Sequence, residues 1–168
     1  MIVIIAYTII SFLLDGLLSN YMSINIIDPS CFRTIYSVIS LVIIFNYFDN
    51  DTKFLKILLI IGILFDIVYT NTFLLNIIIF LIIYLINKKI NIFIPNNLFT
   101  INLKSFLSIT IYHTLSYIIL LLANYQNYPF KYLLLILSRS IIMTIIYTTI
   151  SYLLIKKIYF KIYDKKIK

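Results

Sequence analysis

The chain has 168 residues, of which 62% are hydrophobic and only 12% charged, with a formal charge of +8. So little charge cannot clothe a water-facing surface, which excludes a soluble globular domain and points to an integral membrane protein. The basic excess is no signal for nucleic acid, because lysines beside apolar spans sit at anionic headgroups, each attracted by ~1 kcal/mol.

In chain order, apolar runs predict six spans at 2–19, 32–48, 54–69, 73–86, 105–123 and 132–155, followed by a basic tail over 156–168. The first carries no basic flank and no small-residue cleavage site before Asp15-Gly16, so it reads as a retained span and not a removed signal peptide. A polar stretch around Pro29 leads to the second, near whose start Cys31 stands alone as a small apolar filler, with no second cysteine for a disulfide. The second closes at the polar cluster Asp49-Asn50-Asp51-Thr52.

The run 57–87 holds no Lys or Arg and is interrupted only by Asp66 and by Thr70-Asn71-Thr72. As a single helix rising ~1.5 Å per residue it would overshoot a hydrocarbon core of ~30 Å, so it is expected to fold as a helical hairpin. Residues 88–104, with Pro95-Asn96-Asn97, are expected to form an amphipathic connector, either lying in the interface or looping between spans. The fifth span carries His113 and the sixth Arg139, after Pro129.

With the N-terminus inside, Lys53, Lys56, Lys88, Lys89, Lys104 and the six tail lysines fall on the cytoplasmic side. Only Arg33 and Lys131 fall outside. Reading 57–87 as one span would erase this bias, so the positive-inside rule favours six spans with both termini cytoplasmic.

Counting along the helices places Asp15, Asp66 and Arg139 at similar depth in the outer half. A charge in lipid costs roughly 2.5–3.5 kcal/mol on insertion scales, which predicts that Arg139 pairs with Asp66, Asp15 or both. Thr8, Ser11, Asp15 and Ser19 share one helical stripe and must face protein or water. Gly62 lies one turn before Asp66, where a missing side chain permits close helix approach. Ser140, Thr144, Tyr147 or Thr148, and Ser151 form a second stripe, of the kind that packs helices. His113 alone makes a poor metal site, and the abundant tyrosines near span ends suit an aromatic belt. No nucleophile elbow, phosphate-binding glycine loop or zinc-protease motif is present, so no enzymatic activity, metal or cofactor is expected.

The segment 58–86, LLIIGILFDIVYTNTFLLNIIIFLIIYLI, resembles the signature hairpin of the rod-shape-determining MreD family. Gly62, Asp66, Tyr69, Asn76, Tyr84 and Lys88-Lys89 follow the family order, while Thr70, Asn71 and Leu74 stand where family members carry turn glycines. The opening FLLDGLLSNY is similar to the family's first span. The resemblance implies an all-α, six-helix bundle of the bacterial cytoplasmic (inner) membrane, similar in fold to the substrate-binding components of energy-coupling-factor transporters. It further implies a non-enzymatic scaffold that binds MreC and, through it, influences MreB and a RodA-type polymerase with its transpeptidase. Gly62, Asp66 and Asn76 are the family-matched site positions, and Asp15 and Arg139 join them from the charge argument. The alternative function is a small-molecule-binding membrane component of such a transporter, with Asp15, Asp66 and Arg139 lining an outward pocket.

Overall fold

The computed structural model describes residues 2–21, 34–47, 51–70, 72–124 and 129–167. Cys31, Arg33, the Asp49-Asn50 pair and Asn71 lie outside these residues, as do the side chains of Ser19 and of the tail lysines beyond Ile158. Every regular element among the described residues is helical: α1 (Ile2–Tyr21), α2 (Tyr36–Phe45), α3 (Asp51–Phe65) running on into a π-helical turn (Asp66–Thr70), α4 (Leu75–Phe93), α5 (Leu98–Leu122) and α6 (Phe130–Ile167). Three helices are long and apolar enough to cross a membrane: Leu75–Phe93, Leu98–Leu122 and Phe130–Ile158.

The shortest helix holds the centre. Residues Ser37 through Ile44 of α2 are all buried, and a helix that is apolar all round has no face to offer solvent. The other five surround it. α3 packs on α4, α4 on α5 and α5 on α6, while α2 touches all five others. α1 closes the ring on one side through the Ser11 hydroxyl, 2.8 Å from the Tyr147 hydroxyl of α6. On the other side Phe12 stacks against Phe65 and Tyr69 of the α3 segment, with centroids 6.3 and 4.7 Å apart. The core between them is aromatic and aliphatic, with Phe54, Phe80, Ile39, Ile43 and Ile109 almost fully enclosed.

Outside the ring the exposed side chains are apolar too: Ile9, Ile10, Leu13 and Leu17 on α1, Ile60, Ile63 and Ile67 after it, and Ile142, Ile146 and Ile150 on α6. Water-soluble proteins do not carry faces of this kind, whereas hydrocarbon solvates them at no cost.

Two sequence expectations are corrected here. The second span, expected over 32–48, is a helix only over Tyr36–Phe45 among the described residues, ~15 Å long and half a hydrocarbon core. Thr34 and Ile35 before it are not helical. The expected 88–104 connector is also absent as such: α4 continues through Lys88-Lys89 to Phe93, and α5 starts at Leu98. Pro95 forbids continuation of α4, and Asn97 opens α5 with a reciprocal capping box. Its side chain accepts from Thr100 N at 2.8 Å, while its own N–H donates to Thr100 Oγ1 at 2.9 Å.

The α3–α4 hairpin is closed tightly at Gly62. A Cβ there would stand 2.9 Å from Ile77 Cγ1 and 3.1 Å from Ile77 Cα. Because one of those atoms is backbone, Gly62→Ala must push the two helices apart. Overpacking of this kind costs about 1–3 kcal/mol. The expected result is a lower midpoint of detergent-induced loss of helicity by circular dichroism, and an unchanged midpoint would mean that the hairpin has slack.

Candidate functional site

Asp66 opens the π-helical turn and is only 3% exposed. Its Oδ1 accepts three hydrogen bonds, from Thr72 Oγ1 at 2.6 Å, from Asn76 Nδ2 at 2.9 Å and from the Asn76 backbone N–H at 3.1 Å. Asn76 spends its remaining groups as well: Nδ2 also donates to Thr70 Oγ1 at 2.9 Å, and Oδ1 accepts from the Tyr112 hydroxyl of α5 at 2.6 Å. Tyr112 is fixed edge-on against Phe65, with Phe80 tilted beside it. Asp66, Asn76 and Tyr112 thus form one buried chain of hydrogen bonds that ties the hairpin to α5. Every contact of the carboxylate falls on Oδ1, and Oδ2 of Asp66 is buried without a hydrogen-bond partner among the described residues.

Asp15 does a parallel job on α2. From α1 it reaches across so that Oδ1 accepts the Tyr36 N–H at 2.7 Å and Oδ2 the Ser37 N–H at 2.8 Å. These are the first two backbone donors of α2, which no preceding residue satisfies. Ile35, at the N-cap, offers no side-chain acceptor. Leu74, at the N-cap of α4, offers none either, and Asn76 is that helix's second residue. Each aspartate therefore caps the helix that follows its own, from a neighbouring helix or turn. A carboxylate is the strongest available acceptor for such donors, and the partial positive charge at a helix start offsets its own.

The two caps are mechanically joined. Tyr69, in the turn that Asp66 opens, lies over Gly16, where a Cβ would come within 2.6 Å of its hydroxyl oxygen. That hydroxyl donates to the Phe12 carbonyl at 2.6 Å. Both glycines of the chain thus mark close approaches, Gly16 directly after one capping aspartate and Gly62 one helical turn before the other.

Arg139 is placed differently from the sequence expectation. Asp15 and Asp66 are engaged by helix starts and amides, and among the described residues neither pairs with Arg139. The sole ion pair among the described residues is Lys88–Asp51, at the opposite end of the hairpin. There the Lys88 ammonium hydrogen-bonds the Asp51 carboxyl and holds it below the usual carboxylate range. Both groups are about half exposed, so the pair contributes little stability. Depth alone misplaced Arg139: residues at one level can be turned to different faces of their helices. Its neighbour Ser140 points inward, and the Ser140 carbonyl accepts from Thr34 Oγ1 at 3.2 Å and from Thr144 Oγ1 at 2.6 Å.

The described hydroxyls of the two small-residue stripes face protein. Thr8 and Ser11 on α1 are buried, as are Ser140, Thr144, Thr148 and Ser151 on α6. His113 stands edge-on to Tyr112, with centroids 5.7 Å apart.

A second polar cluster, at the α4–α5 turn, has no counterpart in the sequence reading, which put Lys104 at the end of the 88–104 connector on the cytoplasmic side. Lys104 lies on α5 and is 1% exposed. Its ammonium donates to the side-chain carbonyls of Asn91 and of Asn96, the latter at 2.5 Å. Asn91 in turn donates to Asn46 Oδ1 at 3.2 Å, just past the end of α2. One turn inward, Asn87 donates to Ser108 Oγ at 2.8 Å. The α4–α5 interface therefore carries three polar rungs, Asn76–Tyr112, Asn87–Ser108 and Asn91–Lys104. The asparagine run was visible in the sequence, but its pairing needed the antiparallel register of α4 and α5.

Val38, Phe54, Leu58, Phe80, Ile83 and Asn87 border a cavity of about 10 Å³ between α2, α3 and α4. It is room for one water at most. No group of three His, Cys, Asp or Glu side chains suited to a metal occurs among the described residues. What the capping sites do chemically is hold helix ends in register.

No protein-family model, curated protein or solved structure matches the chain. The resemblance to the MreD hairpin accordingly rests on the residues themselves.

Proposed function

We propose that this protein is a non-enzymatic, six-span scaffold of the bacterial inner membrane, with both termini cytoplasmic, that serves the cell-elongation complex in the manner of MreD. In this reading it binds MreC laterally and bears through it on MreB and on a RodA-type polymerase with its transpeptidase. The observation that carries the reading is that two family-matched positions, Asp66 and Asn76, bind each other, and a third, Gly62, lets their helices meet at Ile77. Asn76 also binds Tyr112. A signature whose members converge on one hairpin has a physical reason to recur as a set. A rigid bundle with a filled centre also suits a platform better than a carrier. The transporter alternative needs Asp15, Asp66 and Arg139 to be open to a ligand, and both carboxylates are engaged in capping.

Depletion in the bacterium that encodes the chain is the test. Cells should round and swell while vitamin uptake stays normal, and the chain should co-purify with MreC in mild detergent. Normal rods after full depletion would sink the reading.

A further inference from the structure

We infer that Arg139 marks the docking face for a partner's transmembrane helix, and that this helix presents a carboxylate at the depth of Arg139. The inference rests on the scaffold reading for the existence of a partner helix, and adds to it a face and a chemistry.

Arg139 sits ~10 Å along the α6 axis from Tyr132, well inside an apolar stretch. It is half-buried, and steps of three and four residues lead from it to Ile142, Ile146 and Ile150, all three exposed. The guanidinium thus heads a stripe that is otherwise lipid-facing. Among the described residues no carboxylate lies within ion-pairing distance of it, since the one ion pair there is Lys88–Asp51. The two acidic groups at its own level, Asp15 and Asp66, already accept from helix N-termini.

An intramembrane arginine with no counter-charge among the described residues is costly, and intramembrane charges face partners or water as a rule. Charge complementarity selects the occupant: an acidic side chain on a helix lying along the isoleucine stripe would convert the cost into specificity and fix the register of the two helices. Exposed Ser138, beside Arg139, adds a small residue at which a neighbouring backbone can come close. Its own hydroxyl is turned back to the Leu135 carbonyl at 2.9 Å and makes no demand on the partner.

The probe is a synthetic single-span leucine-alanine helix bearing one glutamate ~10 Å below its outer end, with the full chain in phosphatidylcholine nanodiscs. Control peptides carry glutamine at that position, or glutamate at the matching depth of the other leaflet. Association is read by energy transfer. The outer-glutamate peptide should bind about three- to thirty-fold tighter than either control, the range that intramembrane polar contacts supply. Arg139→Met should abolish the preference, Arg139→Lys should keep part of it, and Arg139→Glu should transfer it to a lysine-bearing peptide. Helicity and gel-filtration profile establish that each variant is folded, and Arg139→Lys carries the test should the others fail to fold.

Equal binding of the three peptides, or a preference that survives Arg139→Met, overturns the inference. So does a preference erased by added phosphatidylglycerol that co-purifies with the wild type and not with Arg139→Met, because the occupant is then a lipid phosphate. None of these results touches the depletion phenotype, so a failure here leaves the scaffold reading to stand or fall separately.

Discussion

Replacing Asp66 by alanine is expected to remove most of the stability of the hairpin. The change strands two buried donors that now converge on Oδ1, the Asn76 amide and the Asn76 backbone N–H, while the Thr72 hydroxyl keeps its contact with Thr70 at 2.7 Å. Each buried unpaired donor costs about 1–3 kcal/mol. Against a total stability of about 5–15 kcal/mol that is a large fraction. Asp66→Asn retains a carbonyl oxygen in the place of Oδ1, where all the contacts fall, and should lose well under half as much. The cleanest evidence is a double-mutant cycle with Asn76→Ala, read as the denaturation midpoint by far-ultraviolet circular dichroism. Because the two residues share hydrogen bonds, the double variant should be less destabilised than the sum of the singles, with a coupling of about 0.5–3 kcal/mol. Strict additivity, or an Asp66→Ala protein as stable as the wild type, would remove Asp66 from any organising role.

The sequence singled out Asp66, Asp15 and Gly62 because each breaks a rule of apolar helices, and rule-breaking residues in lipid need compensation. What form the compensation takes was not legible. The usual sign of a helix start is Ser, Thr, Asp or Asn at the N-cap, and α5 shows it at Asn97. Helices α2 and α4 instead begin after Ile35 and Leu74, two residues that sequence rules would never choose. Their caps come from elsewhere in the fold, so only tertiary structure reveals them. The shortness of α2 has the same origin, since its first helical residues are those that Asp15 holds.

Leu74 adds a local conflict. Its φ of 62° lies in the left-handed region, at a cost of roughly 1–2 kcal/mol for a side chain with a Cβ. It is one of the positions where the resembling family carries glycine in the turn. The buried Asp66–Asn76 contacts hold α4 in place despite that strain. Arg139 and Lys104 failed to reveal themselves for a different reason. Hydropathy and charge counts give depth and side of the membrane, but not the rotation of a helix or its register against a neighbour. Rotation decides that Arg139 misses both carboxylates, and register decides that Lys104 meets Asn91.

The capping device also explains how a bundle this apolar acquires a unique arrangement. Leucine and isoleucine side chains pack against hydrocarbon about as well as against one another, so burial alone discriminates poorly between helix orders in a membrane. Hydrogen bonds from α1 to the start of α2, and from the α3 turn to α4 and on to α5, have few alternative partners in such an interior. They fix neighbours and register together.

The sharpest test of this device is Asp15, because α2 is central and its start has no second acceptor in view. Asp15→Ala should leave the Tyr36 and Ser37 N–H groups unpaired in an apolar setting, with a loss of about 2–4 kcal/mol. Asp15→Asn, which keeps one of the two accepting oxygens, should lose roughly half of that. Global stability alone does not separate a lost cap from a lost packing contact, so the decisive reading is local. Hydrogen exchange at residues 34–40 should rise by at least an order of magnitude in Asp15→Ala, since a fraying helix start opens from its first turn. The far end of α2, near Asn46, should change much less. If exchange at Tyr36 and Ser37 stays at the wild-type rate, the carboxylate is a bystander and α2 is held in place by the ring of helices alone. If it rises only there, the short central helix is set by one side chain on its neighbour, and the bundle is organised from its capping aspartates outward.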